Sequence, residues 1–198
     1  MNSTVSEHVA HPERKLSFLR KYIFSTDHKM IGMQFLFTTL FFFFVGGALA
    51  LLLRWQLAFP GKPVPILGHL FPESMMVGGI MLPEFYASLF TMHASVMIFF
   101  AIIPILVGAF ANFVVPLQIG ARDMAFPRLN MFSYWAFWPA PLIVLTGFLV
   151  PGGAAATGWT AYAPLSAIEP LGQTSRIVGV LFVGSSSIMG AIKYLTTI

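Results

Sequence analysis

The sequence predicts an all-α integral membrane protein, a bundle of four transmembrane helices. Three observations carry this. Apolar residues make up 57% of the 198 residues and charged ones only 9%, whereas soluble domains carry roughly a quarter charged residues. A chain so poor in charge cannot cover a water-facing surface, and its mean hydropathy of +0.81 agrees. The 21 phenylalanines point the same way, because lipid solvates rings that water expels. Finally, four long apolar runs recur, each near or above the ~20 residues that cross a bilayer's hydrocarbon.

Residues 1–29 are polar and mixed, with Arg14, Lys15, Arg20, Lys21 and Lys29. They hold no short apolar core followed by a small-residue cleavage site, which argues against a cleaved signal peptide; the stretch is expected to be a cytoplasmic tail. The first span is expected over 30–53, apolar all round at its FFFF tract and ended by Arg54. Residues 55–84 form a loop rich in proline and glycine. The second span is expected over 85–115, longer than a bilayer requires, with an interfacial start or a tilt. Pro104 is expected to kink it and Pro116 to end it, since the residue before a proline is pushed out of helical conformation. A charged connector follows. The third span is expected over 131–150, anchored at an interface by Trp135 and Trp138 near one end. The stretch PGGAAATGWTAYAPL cannot be a regular helix. The fourth span is expected over 177–198, starting after Arg176 and interrupted late by Lys193.

Charge placement orients the spans. Five Lys or Arg lie in the N-terminal tail, Arg122 and Arg128 lie between spans II and III, and the opposite loops hold only Arg54, Lys62 and Arg176. The positive-inside rule puts the N-terminus in the cytoplasm and makes span II descend from outside to inside. The net charge of +4 is small, and nothing in its distribution reads as a nucleic-acid surface. There is no cysteine, which excludes disulfides, thiolate metal sites and cysteine nucleophiles from these residues.

The informative residues are the ionisable ones that a membrane should not contain. His93 lies about eight residues into the second run, roughly 12 Å from its outer end. Ionisable groups at that depth are costly and usually functional. It fits an axial ligand to heme iron, a proton relay, or a histidine that hydrogen-bonds a neighbouring helix for packing alone. Tyr86 precedes it by seven residues, on the same helix stripe and about 10.5 Å away along the axis. From spacing alone Tyr86 reads as an aromatic-belt residue, although a heme standing on His93 would reach it. Arg54 reads as a snorkelling residue, and Asp123 as a loop acid or a partner of Arg122 or Arg128. Asn112, Asn130, Ser133 and the run Ser185, Ser186, Ser187 serve helix packing or supply a water chain with uncharged donors and acceptors.

The motifs STDHKMIG, TMHASVMIFF, VPLQIGARDMAFPRLN, GWTAYAPL and GSSSIMGAIKYLTTI, in this order and spacing, resemble subunit I of the heme–copper oxidases. The match is to the cytochrome c oxidase branch, with a quinol-oxidising relative left open, and runs from about Ser25 to the last residue. The resemblance implies four helices of a twelve-helix fold in an energy-transducing membrane, such as a bacterial plasma membrane. It implies that His93 is an axial iron ligand of a low-spin heme, of heme a type. Arg54 would touch a ring substituent of that heme, and Tyr86 and Trp159 would reach its propionates. It makes Asp123 the mouth of a proton-uptake path, with Asn112 and Asn130 above it and Ser133, Ser186 and Ser187 holding its water. Copper and a second heme are expected only with the part of the subunit beyond span IV, so the four spans alone are expected not to reduce oxygen. Subunits II and III and cytochrome c are the implied partners, the last through subunit II. Two other readings fit: a non-catalytic heme-binding or anchoring membrane protein, and a truncated inactive paralogue. One departure stands out. The family reads GAIN where this sequence reads GAIK, placing Lys193 at an asparagine position. Lys193 would either snorkel to the interface or intrude on the path, by repelling protons or by pairing with Asp123.

Overall fold

The computed structural model describes residues 17–168 and 171–198; the tail residues Arg14 and Lys15 lie outside that range. Four helices are long and apolar enough to cross a bilayer: α1 His28–Ala58, α2 Pro83–Ile119, α3 Pro127–Leu149 and α4 Leu171–Thr197. The end at which α1 starts is termed inner and the opposite end outer.

Each helix begins where local chemistry permits. Asp27 caps α1, its carboxylate accepting from Met30 N at 3.0 Å, which satisfies one of the orphan donors of a first turn. The 31 residues of α1 span about 46 Å, well beyond the ~30 Å hydrocarbon core. Pro83 and Pro127 start α2 and α3, where their missing N–H costs nothing.

Three expectations are corrected here. Pro116 does not end the second span: it lies inside the helix, which runs on to Gly120 at φ +71°, a left-handed stop that suits glycine. Around Pro104 the helix widens into π turns, Met97–Ile102 and Pro104–Phe110. This wider winding absorbs the missing proline donor inside a continuous span. Trp135 and Trp138 do not anchor an end, since α3 begins at Pro127 and runs to Leu149, leaving both near its middle. Trp135 instead donates to Ile23 O at 3.3 Å and stacks on Phe24. Gln34 donates to the carbonyls of Tyr22 and Ile23 at 2.6 and 2.8 Å, so residues 22–24 fold back along the bundle. Arg176, too, lies within α4 and is buried, not in the loop before it.

The helices pack in two antiparallel pairs. Along the α1–α2 seam, Gly46 faces Met97 while Phe35 faces Gly108, and a Cβ on Gly108 would lie 2.5 Å from the Phe35 ring. Along the α3–α4 seam, a Cβ on Gly179 would lie 2.3 Å from Val144 Cγ2 and 2.8 Å from Ala140 O. Small residues let backbones approach in lipid, where dispersion replaces the hydrophobic effect as glue. The pairs join at a ring cluster: Phe35, Phe42 and Phe100 all meet Phe137, at centroid distances of 6.0 to 6.4 Å. Tyr134 and Thr38 add a buried hydroxyl pair at 3.0 Å.

α4 shows how a membrane helix inverts the soluble pattern. Its buried stripe is Gly172, Gln173, Arg176, Gly179, Val183, Ser186, Gly190 and Lys193, small or polar throughout save one. Leu181, Ile188 and Leu195 face outward, each about two-thirds or more exposed. At the outer end, Met76–Val77 and Ile80–Met81 pair as an antiparallel hairpin. Its methionines cover Phe85 and Leu89. Residues 151–164 are irregular, as their prolines and glycines require.

Candidate functional site

Two polar regions interrupt the apolar bundle. The outer one centres on His93 of α2. Its Nδ1 donates to Gly46 O of α1 at 2.9 Å. This bond needs close helices: a Cβ on Gly46 would lie 2.7 Å from Met97 Sδ. The carbonyl fixes the ring's orientation and tautomer and leaves Nε2 as the basic nitrogen. His93 is only half-buried, and the neighbouring Phe90 is 56% exposed, so a flank beside the ring lies open.

Because α1 and α2 are antiparallel, Arg54 and Tyr86 fall at matching heights. Arg54 is eight residues outward from Gly46 and Tyr86 seven outward from His93, or about 12 and 10.5 Å. Arg54 is exposed and Tyr86 half-buried against the outer apolar cluster. Trp159 does not share that height. Its indole packs edge-on against Phe99, 6.3 Å between centroids, six residues beyond His93 in the inward direction. Its backbone is held firmly: Gly158 N donates to Thr91 Oγ1 at 2.9 Å, and Arg176 Nη1 donates to Trp159 O at 2.9 Å. Arg176 is in turn steadied by Gln173 Oε1 at 3.2 Å.

The inner region joins α1, α2, α3 and α4. Asn112 and Asn130 are both fully buried, and Lys193 is 1% exposed. The lysine does not snorkel. Its Nζ donates to Asn112 Oδ1 at 3.3 Å and to Asn130 Oδ1, and faces the rings of Phe35 and Tyr194 at 6.0 and 4.9 Å. Asn112 Nδ2 donates to Gly108 O, while Asn130 Nδ2 is buried with no partner. From Asn130 a chain of contacts climbs: Ser133 Oγ to Asn130 O, and Ser186 Oγ to Ser133 O, both at 2.7 Å. A cavity of about 30 Å³ adjoins Ser133, Ser186, Ser187 and Lys193, room for about two waters. Below, Asp123 is half-buried, its Oδ1 accepting from Met124 N at 2.7 Å. Ala125 N donates to Thr197 Oγ1 at 3.0 Å, pinning the Asp123 connector one helical turn beneath Lys193.

Sequence reasoning assigned no role to His28. It is 2% exposed and donates Nδ1 to Asn112 O at 2.7 Å. A histidine directly before an apolar run was the available signal. Gly46, Thr91 and Gln173 were also missed, because their importance lies in which helix each one faces.

The sequence profile described as Cytochrome C and Quinol oxidase polypeptide I matches residues 30–198. The chain belongs to this family. Among similar proteins, the probable cytochrome c oxidase subunit 1-beta of Nocardia farcinica is 44% identical over 187 residues, 93% of this chain and 29% of the relative. Cytochrome c oxidase subunit 1 of Corynebacterium glutamicum is 46% identical over 88% of this chain and 27% of its own length. That of Synechocystis is 41% identical over 95% and 30%. The chain thus spans under a third of the length of these relatives. Its four helices are consistent with the membrane bundle of the Cytochrome C and Quinol oxidase polypeptide I family, to which heme and respiration belong. Among the described residues no three His, Cys, Asp or Glu side chains gather.

Proposed function

We propose that these four helices are the N-terminal part of a cytochrome c oxidase subunit I, and that His93 Nε2 is one axial ligand of a low-spin heme. The observation that carries this is the His93–Gly46 bond. Iron-ligating histidines characteristically give their other ring nitrogen to a carbonyl, which orients the ring and raises its basicity. The open flank beside His93, with Arg54 and Tyr86 one heme length outward, suits a planar group standing on edge. A low-spin heme of the a type supplies one-electron transfer when bound. His93 would hold it, Arg54 would meet a polar ring substituent, and Tyr86 would donate to a propionate. Trp159 would serve a propionate only if its indole swung outward from Phe99, a movement of side chain alone since its backbone is fixed.

In this reading the inner end faces the cytoplasm, and Asp123 is the mouth of a lane running by Asn130 and Asn112 to the serine-lined cavity. Asp123 would take up protons, and Ser133, Ser186 and Ser187 would order water in the cavity. The rest of subunit I would bring copper and a second heme, and cytochrome c would deliver electrons through subunit II, with subunit III alongside. Oxygen reduction and proton translocation would be properties of that whole assembly. The test is the visible spectrum of the complete subunit carrying His93→Ala. Loss of the low-spin heme absorbance is expected. An unchanged spectrum in assembled protein would reject the assignment.

A further inference from the structure

We infer that Lys193 is a tethered amine that closes the inner lane between Asp123 and the cavity beside Ser133, Ser186 and Ser187. The inference rests on the lane reading given above and concerns its regulation. Lys193 stands on the buried stripe of α4, one turn above Thr197, and Thr197 holds the Asp123 connector. Its Nζ occupies the space between the side chains of Asn112 on α2 and Asn130 on α3. Two amide oxygens accept from that nitrogen and two ring faces lie beside it. The cavity with Ser133, Ser186 and Ser187 lies directly against it.

Two consequences follow. Nζ fills the gap between the two amide oxygens, so a proton moving up from Asp123 finds its place taken, and the amine when protonated repels it, since like charges repel strongly in a poorly solvated site. The path for water is also broken, because the amine takes up both amide oxygens on which water would otherwise order. Asn130 Nδ2 accordingly remains buried without a partner. An asparagine at 193 would offer that amide an acceptor and leave the lane neutral. No carboxylate is needed to hold Lys193 in place; the two amides do so, and Asp123 keeps its own bond to Met124 N.

The experiment is proton uptake by the complete oxidase in lipid vesicles, followed by a pH indicator during turnover, with the visible spectrum of each variant confirming assembly. Lys193→Asn is expected to raise the uptake rate at least about tenfold, and adding Asp123→Asn is expected to abolish that gain. Lys193→Gln should act like Lys193→Asn, which covers a failure of either to assemble. If Lys193→Asn leaves uptake unchanged or slows it, while Asp123→Asn in the same background still slows it, the closure is wrong and the lane stands. If neither change moves uptake, the lane reading fails and takes the closure with it.

Discussion

His93 at the outer end gives one ring nitrogen to a backbone carbonyl and keeps an open flank, whereas Lys193 at the inner end is enclosed and spends its nitrogen on two amide side chains. Both are ionisable groups in lipid, and each has lowered its cost differently. The outer residue is half-exposed, with room beside its ring. The inner residue is surrounded, its amine hydrogen-bonded to both asparagine side chains. The bundle should therefore tolerate loss of the outer group and be destabilised by loss of the inner one's partners.

Asn130→Leu should break this comparison most forcefully. It removes one of the two acceptors of the buried Lys193 amine, and leaving a buried donor unsatisfied costs about 1–3 kcal/mol. A loss of stability of that size is expected in detergent, read by near-UV circular dichroism on heating. His93→Leu, by contrast, should leave the unfolding temperature of the heme-free bundle nearly unchanged. Equal destabilisation by the two would erase the distinction. Gly46→Val should act next most strongly and at the outer end, since its side chain would overlap Met97. Overpacking of this kind costs about 1–3 kcal/mol. It should also shift the low-spin heme spectrum, because it moves the carbonyl that aims His93. A stability loss without a spectral shift would mean that Gly46 only packs.

Much of this architecture was legible in the sequence, for reasons particular to lipid. A backbone in hydrocarbon must satisfy itself, so long uncharged runs have little choice but to be helices, and all four spans were found. Their limits were less legible. Pro116 reads as a stop because a local rule says so, but the wider winding near Pro104 and the left-handed Gly120 settle where the helix ends. Trp135 and Trp138 read as interface anchors by type, yet Trp135 serves the segment at Ile23 and Phe24. His93 was conspicuous, since an ionisable ring within an apolar run has few bland explanations. Its partner was not, because any carbonyl of α1 looks alike until packing selects Gly46. The fate of Lys193 likewise depends on two amides that lie 81 and 63 residues away in the chain. A long flexible side chain near a helix end reads equally well as snorkelling.

In the proposed function His93 offers Nε2 to iron while the Gly46 carbonyl holds Nδ1. Replacing His93 with glycine in the complete subunit would leave a ring-sized space beside the Gly46 carbonyl. Free imidazole added to that variant can donate to the same carbonyl and present its other nitrogen to the iron. The visible spectrum without and with imidazole is therefore the decisive measurement. Loss of the low-spin absorbance in His93→Gly is expected, with its return on titration with imidazole. Full low-spin absorbance without imidazole would contradict it.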